Sequence, residues 1–251
     1  MSLAILGCKL DDIDAATATA KILAWARDGA AAQVVTLGTE MVVYAQHDPA
    51  FRGIINNAAL ALCDTIGLLL VARMRGSALR ERVTGVELAD HLCASAAASN
   101  LGVYLLGGAP GIAERAAAAL CERHPALDVR GTHDGYFGRD AEAGIVAQIR
   151  DSGARVLFVG LGSPRQEVWL AEHLSATGCG VGIGVGGSFD VMSGNVQRAP
   201  KLWRTLGLEW LHRLVREPHR WRRQLALPYF VWLVVLDGAR QALAGKKSHS
   251  W

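Results

Sequence analysis

Six short apolar runs, almost free of polar residues, recur along the 251-residue chain: AILG (4–7), QVVTLG (33–38), LALC (60–63), GVYLLGG (102–108), VLFVGLG (156–162) and GVGIGVGG (180–187). A strand with one wet face alternates apolar and polar residues, so an unbroken apolar run belongs to a strand covered on both faces. Between several of these runs lie alanine-rich stretches of helical character: AATATAKILAWA (15–26), GIAERAAAALCERH (111–124) and RQEVWLAEHL (165–174). The alternation predicts a mostly parallel sheet between two layers of helices, a doubly wound, Rossmann-like α/β fold. A hydrophobic content of 51% supplies the core such a fold needs. The stretch SAAASNLG marks a division near residue 100, so residues 1–195 are predicted to form one domain with lobes of about 1–100 and 101–195.

Charge separates a further segment. Residues 196–251 hold 11 Lys and Arg against 3 Asp and Glu, whereas residues 1–195 hold 15 against 20. The same segment carries Trp203, Trp210, Trp221, Trp232 and Trp251, interleaved with its arginines. Indole rings and cations together suit a lipid headgroup layer, and this composition predicts a helical appendage that lies on a membrane surface rather than one that binds nucleic acid. The longest apolar run there, LALPYFVWLVVL (225–236), is shorter than the roughly 20 residues needed to cross a bilayer and contains Pro228. Solvated arginines on core-docking helices are the plainer alternative. The N-terminal MSLAILGCKLDDID has no basic residues ahead of its apolar patch, unlike a signal peptide. Five scattered cysteines without a C-x-x-C, and no clustered histidines, point to neither a disulfide framework nor a zinc site, and a reducing cytoplasm is expected.

In doubly wound sheets, ligands bind where the loops after the strands gather. Three such loops are rich in glycine. GGAPG (107–111), with Gly107 and Gly108, either lets backbone N–H groups approach a phosphate or is ordinary turn chemistry. GVGGSFD (184–190) ends in Asp190, and GLGSPRQE (160–167) brings Arg165, Gln166 and Glu167 to a strand end. In that last loop Ser163 and Gln166 spell a capping box with Pro164 at the first helical position, and Glu167 suits the helix dipole. Asp64 interrupts two apolar runs in LALCDTIGLLL, where burial would raise its pKa towards general-base behaviour, or where it simply accepts turn N–H groups. Asp12 and Asp14 have the D-x-D spacing of some metal-bound sugar-nucleotide sites, but they are expected to cap the following helix. Thr36 closes a strand, its hydroxyl directed to a ligand or to the backbone.

Taken in order, VVTLGTEMV, AQHDPAFRGIINNAALALCDTIG, RVTGVELA, VYLLGGAPGIAERAA, GTHDGYF, GLGSPRQEVW and GVGGSFDVMSGNVQRAPKLWRTLGLEWLHRLVREPHRWRR resemble the WecG/TagA/CpsF family of bacterial glycosyltransferases. The resemblance spans most of the chain. It implies an inverting enzyme, peripheral on the cytoplasmic face of the membrane, that moves a hexose-type sugar from a UDP-sugar to an undecaprenyl-diphosphate-linked sugar without an essential metal or other cofactor. It also implies a homo-oligomer. By the same resemblance Asp64 is the general base and Thr36 positions substrate. Gln166 and Glu167 belong to the nucleotide-sugar site, Tyr136 and Asp190 lie near the nucleotide, and Arg213, Arg220 and Arg223 of the appendage close over the site. Two departures stand out: Thr36-Leu37-Gly38 where the family commonly has T-P-N, and Asp64-Thr65-Ile66-Gly67 where it has D-G-x-G. They leave the donor open between N-acetylmannosamine, glucose and a uronic acid. A nicotinamide-dependent oxidoreductase is disfavoured by the lack of a G-x-G-x-x-G followed by an acidic residue. A UDP-sugar sensor without turnover is the remaining alternative.

Overall fold

The computed structural model describes residues 2–200, 203, 211, 214, 215 and 225–247. It opens with a hairpin, β1 (Ser2–Ile5) and β2 (Cys8–Asp11), paired antiparallel from Ser2↔Asp11 to Ile5↔Cys8. Leu6 and Gly7 make the two-residue turn with φ of 50° and 79°, the handedness that matches strand twist. The first apolar run therefore ends in a hairpin of its own, apart from the main sheet in which its composition alone would place it. A two-residue link cannot return a chain as a parallel neighbour.

The main sheet contains β3 (Ala32–Leu37), β4 (Leu60–Cys63), β5 (Val103–Gly107), β6 (Val129–His133), β7 (Val156–Gly160) and β8 (Val181–Gly184). Their order is β4-β3-β8-β7-β5-β6, and every adjacent pair is parallel. This is the predicted Rossmann-like α/β sheet. The single sheet runs through both sequence halves, because β8 pairs with β3 on one side and β7 on the other.

Helices α1 (Ala15–Asp28), α5 (Gly85–Ala98), α6 (Ile112–Arg123) and α9 (Ser188–Met192) cover one face, with Ile22, Leu88, Leu120 and Phe189 in its core. On the other face lie α2 (Thr39–Tyr44), α3 (Pro49–Asn57) and α4 (Ile66–Met74) beside β3 and β4, then α7 (Arg139–Ser152) and α8 (Arg165–His173) beside β5 and β7. Strand residues divide by parity: Val34, Leu62, Leu105 and Phe158 go to the first core, while Val35, Cys63, Leu106 and Val159 go to the second. That parity explains why the runs are apolar throughout. Strand β6 is one of the two edges and only partly buried, and its VRGTH lacks the apolar signature.

Helix starts follow local chemistry. Asp14 caps α1 by accepting from Thr17 N–H at 2.7 Å, and Asp12 accepts from Ala78 N–H at 3.0 Å, so the D-x-D pair serves the backbone. The last described helix, α10 (Ala226–Lys247), tolerates Pro228 because a first-turn residue needs no N–H partner. Its Phe230 is buried against the α2–α4 core, Asp237 pairs with Arg75 at 2.6 Å, and Tyr229 stacks between His47 and Trp232. Among the described residues no helix is long and apolar enough to cross a membrane.

Four cysteines are sealed within these cores. Burial pushes the thiols of Cys63 and Cys93 up to about 12 and that of Cys8 up to about 11, and Cys179 is raised for the same reason. Only Cys121 is partly exposed. A thiol-disulfide reagent at neutral pH should therefore titrate one fast group in the native protein and five after denaturation, with Cys121→Ser removing the fast group. Two or more fast native thiols would contradict this packing.

Candidate active site

The strand ends on the carboxyl edge open into a cavity of about 310 Å³. Four strands and the loops after them supply its lining: Thr36 of β3 and Gly38 after it, Asp64 and Thr65 after β4, Gly162, Ser163 and Gln166 after β7, and Val185 to Ser188 after β8. Arg82 and Thr84 come from the segment before α5, and Arg198 and Leu227 from beyond α9. Helices α2, α4, α5, α8 and α9 all begin at this rim. Their first N–H groups and dipole ends make the cavity favourable to anions.

Asp64 sits where β4 ends. Its backbone N–H donates to Leu37 O at 3.1 Å, extending the β3–β4 ladder by one step, and its Oδ1 accepts from Gly85 N–H at 3.1 Å. That second bond ties the carboxylate to the start of α5, whose cap is Thr84 with Glu87 returning to the Thr84 hydroxyl. Asp64 is half-buried at the cavity wall, and it has the turn contact foreseen for a structural Asp together with access to a ligand. Thr36 is nearly buried and its hydroxyl donates to Gly184 O at 2.8 Å, so what it offers a ligand is an acceptor oxygen.

The loop after β7 departs from the predicted capping box. Pro164 is already helical in backbone angle, Ser163 forms no cap bond, and Gln166 N–H donates to Gly162 O. The Gln166 side chain instead accepts from Gly186 N–H at 2.9 Å and donates to Glu167 Oε1 at 2.6 Å. A Cβ on Gly184 would lie 2.7 Å from Gln166 Nε2 and 3.0 Å from Glu167 Oε1, so glycine is the residue that leaves room for this pair. Glu167 has no exposed surface and does not line the cavity. Burial raises its pKa, opposed by hydrogen bonds from the side chains of Gln166 and Ser163.

The remaining candidates lie along the same edge but outside the cavity. Gly107, at φ 135°, lets β5 approach β7 so closely that a Cβ would stand 2.4 Å from Gly160 O, and Gly108 O accepts from Gly135 N–H. Arg165 donates to Gly135 O and Phe137 O at 2.7 and 2.9 Å and lies over the Phe137 ring. It thereby clamps the loop that presents Tyr136, which is 78% exposed. Asp190 Oδ1 accepts from Asn195 Nδ2 in the turn after α9. Arg213, Arg220 and Arg223 lie outside the described residues. The structure thus gathers Asp64, Thr36 and Gln166 in one cavity and sets Gly107, Gly108, Arg165 and Tyr136 in the neighbouring loops at the carboxyl ends of β5, β6 and β7.

The model of the Glycosyl transferase WecG/TagA/CpsF family matches residues 3–244. The chain belongs to this family. It is a glycosyltransferase by family, which implies a sugar donor and an acceptor as substrates. Two cavity arginines escaped the sequence reading. Arg82 precedes the Thr84 cap and Arg198 stands in the R-A-P stretch, where it pairs with Glu87 at 2.7 Å. No local signal marks either one, because tertiary packing and not the neighbouring residues brings them to the cavity.

Gly184→Ala should cost about 1–3 kcal/mol through overpacking against the Gln166–Glu167 pair, read as a lowered denaturation midpoint. A variant as stable as the parent would show that these side chains are not held as described.

Proposed function

We propose that this glycosyltransferase is an inverting enzyme that moves a hexose-type sugar from a UDP-sugar to an undecaprenyl-diphosphate-linked sugar in cell-surface polysaccharide synthesis. The observation that carries the reading is the carboxylate of Asp64 on the wall of a helix-rimmed cavity that also holds Arg82 and Arg198, its Oδ1 anchored by Gly85 N–H. Inversion needs one base opposite one leaving group. The acceptor hydroxyl oxygen attacks the anomeric carbon while its proton passes to Asp64. The bond from that carbon to the diphosphate oxygen breaks, and UDP departs with the electron pair.

The departing diphosphate gains charge. Arg82 and Arg198, with the helix N-termini at the rim, are the groups that would absorb it, joined by Arg213, Arg220 and Arg223 when the appendage closes. This scheme assigns the neutralisation to protein donors and invokes no metal. Thr36 and Gln166 orient the sugar, and the loops that carry Gly107, Gly108 and Tyr136, with Asp190, receive the nucleotide. Glucose, N-acetylmannosamine and a uronic acid all fit this chemistry.

A lipid-linked acceptor agrees with the placement of α10. Leu227 at its start lines the cavity, while Val231, Trp232 and Val235 further along are exposed. One helix thus joins the site to an apolar ridge, within a segment rich in arginine. We assign that ridge to the cytoplasmic leaflet of the membrane, with the enzyme peripheral upon it.

Asp64→Asn keeps the shape and removes the base. Turnover with a UDP-sugar panel and a polyprenyl-diphosphate-linked N-acetylglucosamine acceptor should fall about 10²–10⁴-fold, with UDP affinity by calorimetry little changed. Full turnover in this variant would remove Asp64 from the chemistry. In flotation assays Val231→Asp combined with Val235→Asp should weaken binding to anionic vesicles, and wild-type binding should fall as salt screens the arginines. Binding indifferent to both changes would dissociate α10 from the membrane.

A further inference from the structure

Gln166 and Glu167 are adjacent in sequence, and the resemblance groups them as two ligand contacts. Their surroundings differ sharply. Gln166 lines the cavity, whereas Glu167 is fully buried behind it. Packing alone does not call for a carboxyl at such a position, because a methionine fills a similar volume without the desolvation cost of an acid. The acid must therefore supply something polar, and its nearest partner identifies what.

The Gln166 amide is committed at both ends. Its Oε1 accepts from Gly186 N–H at 2.9 Å and its Nε2 donates to Glu167 Oε1 at 2.6 Å. The reversed amide would set an oxygen against the carboxylate and an NH2 group against an N–H, two repulsive contacts in place of two bonds. Glu167 itself is held from behind: its carbonyl accepts from Gln33 Nε2 of β3 at 2.9 Å. Gly186 lies in the Val185–Gly187 turn of the cavity lining and has a φ of 53°, so that turn is fixed partly through the Gln166 bond.

We propose that Glu167 is a positioning residue: it orients the Gln166 amide on the cavity wall and, through Gln166, holds the Gly186 turn, without itself touching substrate. The proposal rests on the reading of the cavity as the transferase site and specifies how that site is kept in register. Gln166 then meets the donor with its nitrogen on the Glu167 side and its oxygen on the Gly186 side, and Gly186 N–H is spent within the protein rather than on an anion.

The test compares Glu167→Met, which keeps volume and removes the acceptor, with Glu167→Gln, which keeps a neutral acceptor. Glu167→Met should raise the KM for the UDP-sugar about tenfold with kcat much less affected, and Glu167→Gln should recover most of that loss. In a Gln166→Ala background Glu167→Met should cost nothing further. The Gln166 side-chain amide signal in a ¹⁵N correlation spectrum, assigned by its absence in Gln166→Ala, should shift markedly in Glu167→Met and little in Glu167→Gln. The stability readout runs the other way. A raised carboxyl pKa in the folded state means that wild type loses stability relative to Glu167→Met as pH rises above the ordinary carboxyl range of about 4.

Equal KM values for Met and wild type, independent costs in the Gln166→Ala background, or an unmoved amide signal would each overturn the proposal. If wild type transfers from no UDP-sugar, the functional reading fails instead, and the amide spectrum alone still decides the positioning.

Discussion

The pairing of β8 between β3 and β7 is the constraint on which the site depends. Val34 lies opposite Ile183 on one side of β8, and Phe158 lies opposite Ile183 on the other. Without that strand the loops after β3 and β4 would belong to one half and those after β7 to another. With it, Asp64, Thr36 and Gln166, which are spread over 131 positions of sequence, line one cavity. The strand is short and apolar on both faces, and Gly182 and Gly184 leave it narrow. A Cβ at Gly182 would meet Leu170 and Leu174 of the α8 layer at 2.5 and 2.8 Å, and one at Gly184 would meet Gln166. The glycines of GVGIGVGG thus let helix α8 approach the sheet, and that approach brings the start of the helix to the cavity.

Asp64 and Glu167, two of the acidic groups near the cavity, show how environment divides roles between like side chains. Asp64 follows β4, the strand at one edge of the main sheet, and a helix N-terminus meets one of its oxygens. It stays at the wall, within reach of solvent and ligand. Glu167 lies one helical residue beyond the rim, and the sheet beneath removes it from solvent altogether. A carboxylate in the first place can exchange a proton with a substrate; in the second it can only shape its neighbours.

The parallel sheet was legible in the sequence because burial on both faces writes a continuous apolar run, and five of the six runs quoted became main-sheet strands. The sixth, AILG, was misplaced because its composition is that of a core strand while its partner CKLD, carrying Lys9 and Asp11, has no such signature. Strand β6 was silent for the related reason that it is an edge left only partly buried, whereas β4, the other edge, is fully buried and kept its apolar run. Asp64 was visible as a polar interruption between apolar runs. The Ser163–Gln166 capping box was a false signal, since the motif records spacing alone and Gln166 found a stronger set of partners across the sheet. Arg82 and Arg198 were hidden because their contribution comes from tertiary placement, and an arginine near a cap looks the same in sequence whether it faces solvent or a cavity.

Helix α10 links this placement to the composition of the last quarter of the chain. Its buried side is set by Phe230, which rests beside Gly67 at the start of α4, and by the Asp237–Arg75 pair at the other end of α4. Two attachments at opposite ends of α4 fix the direction of α10 as well as its position. The apolar residues that remain exposed, Val231, Trp232 and Val235, are then presented on a rigid support and not on a loose tail. A rigid ridge has a consequence that a flexible basic tail lacks: a surface bound to it stands at a set distance and angle from Asp64. For an acceptor whose lipid portion stays in the leaflet, such a fixed height would bring its sugar to the cavity without further ordering, so part of the entropic cost of aligning the two substrates is met before either binds.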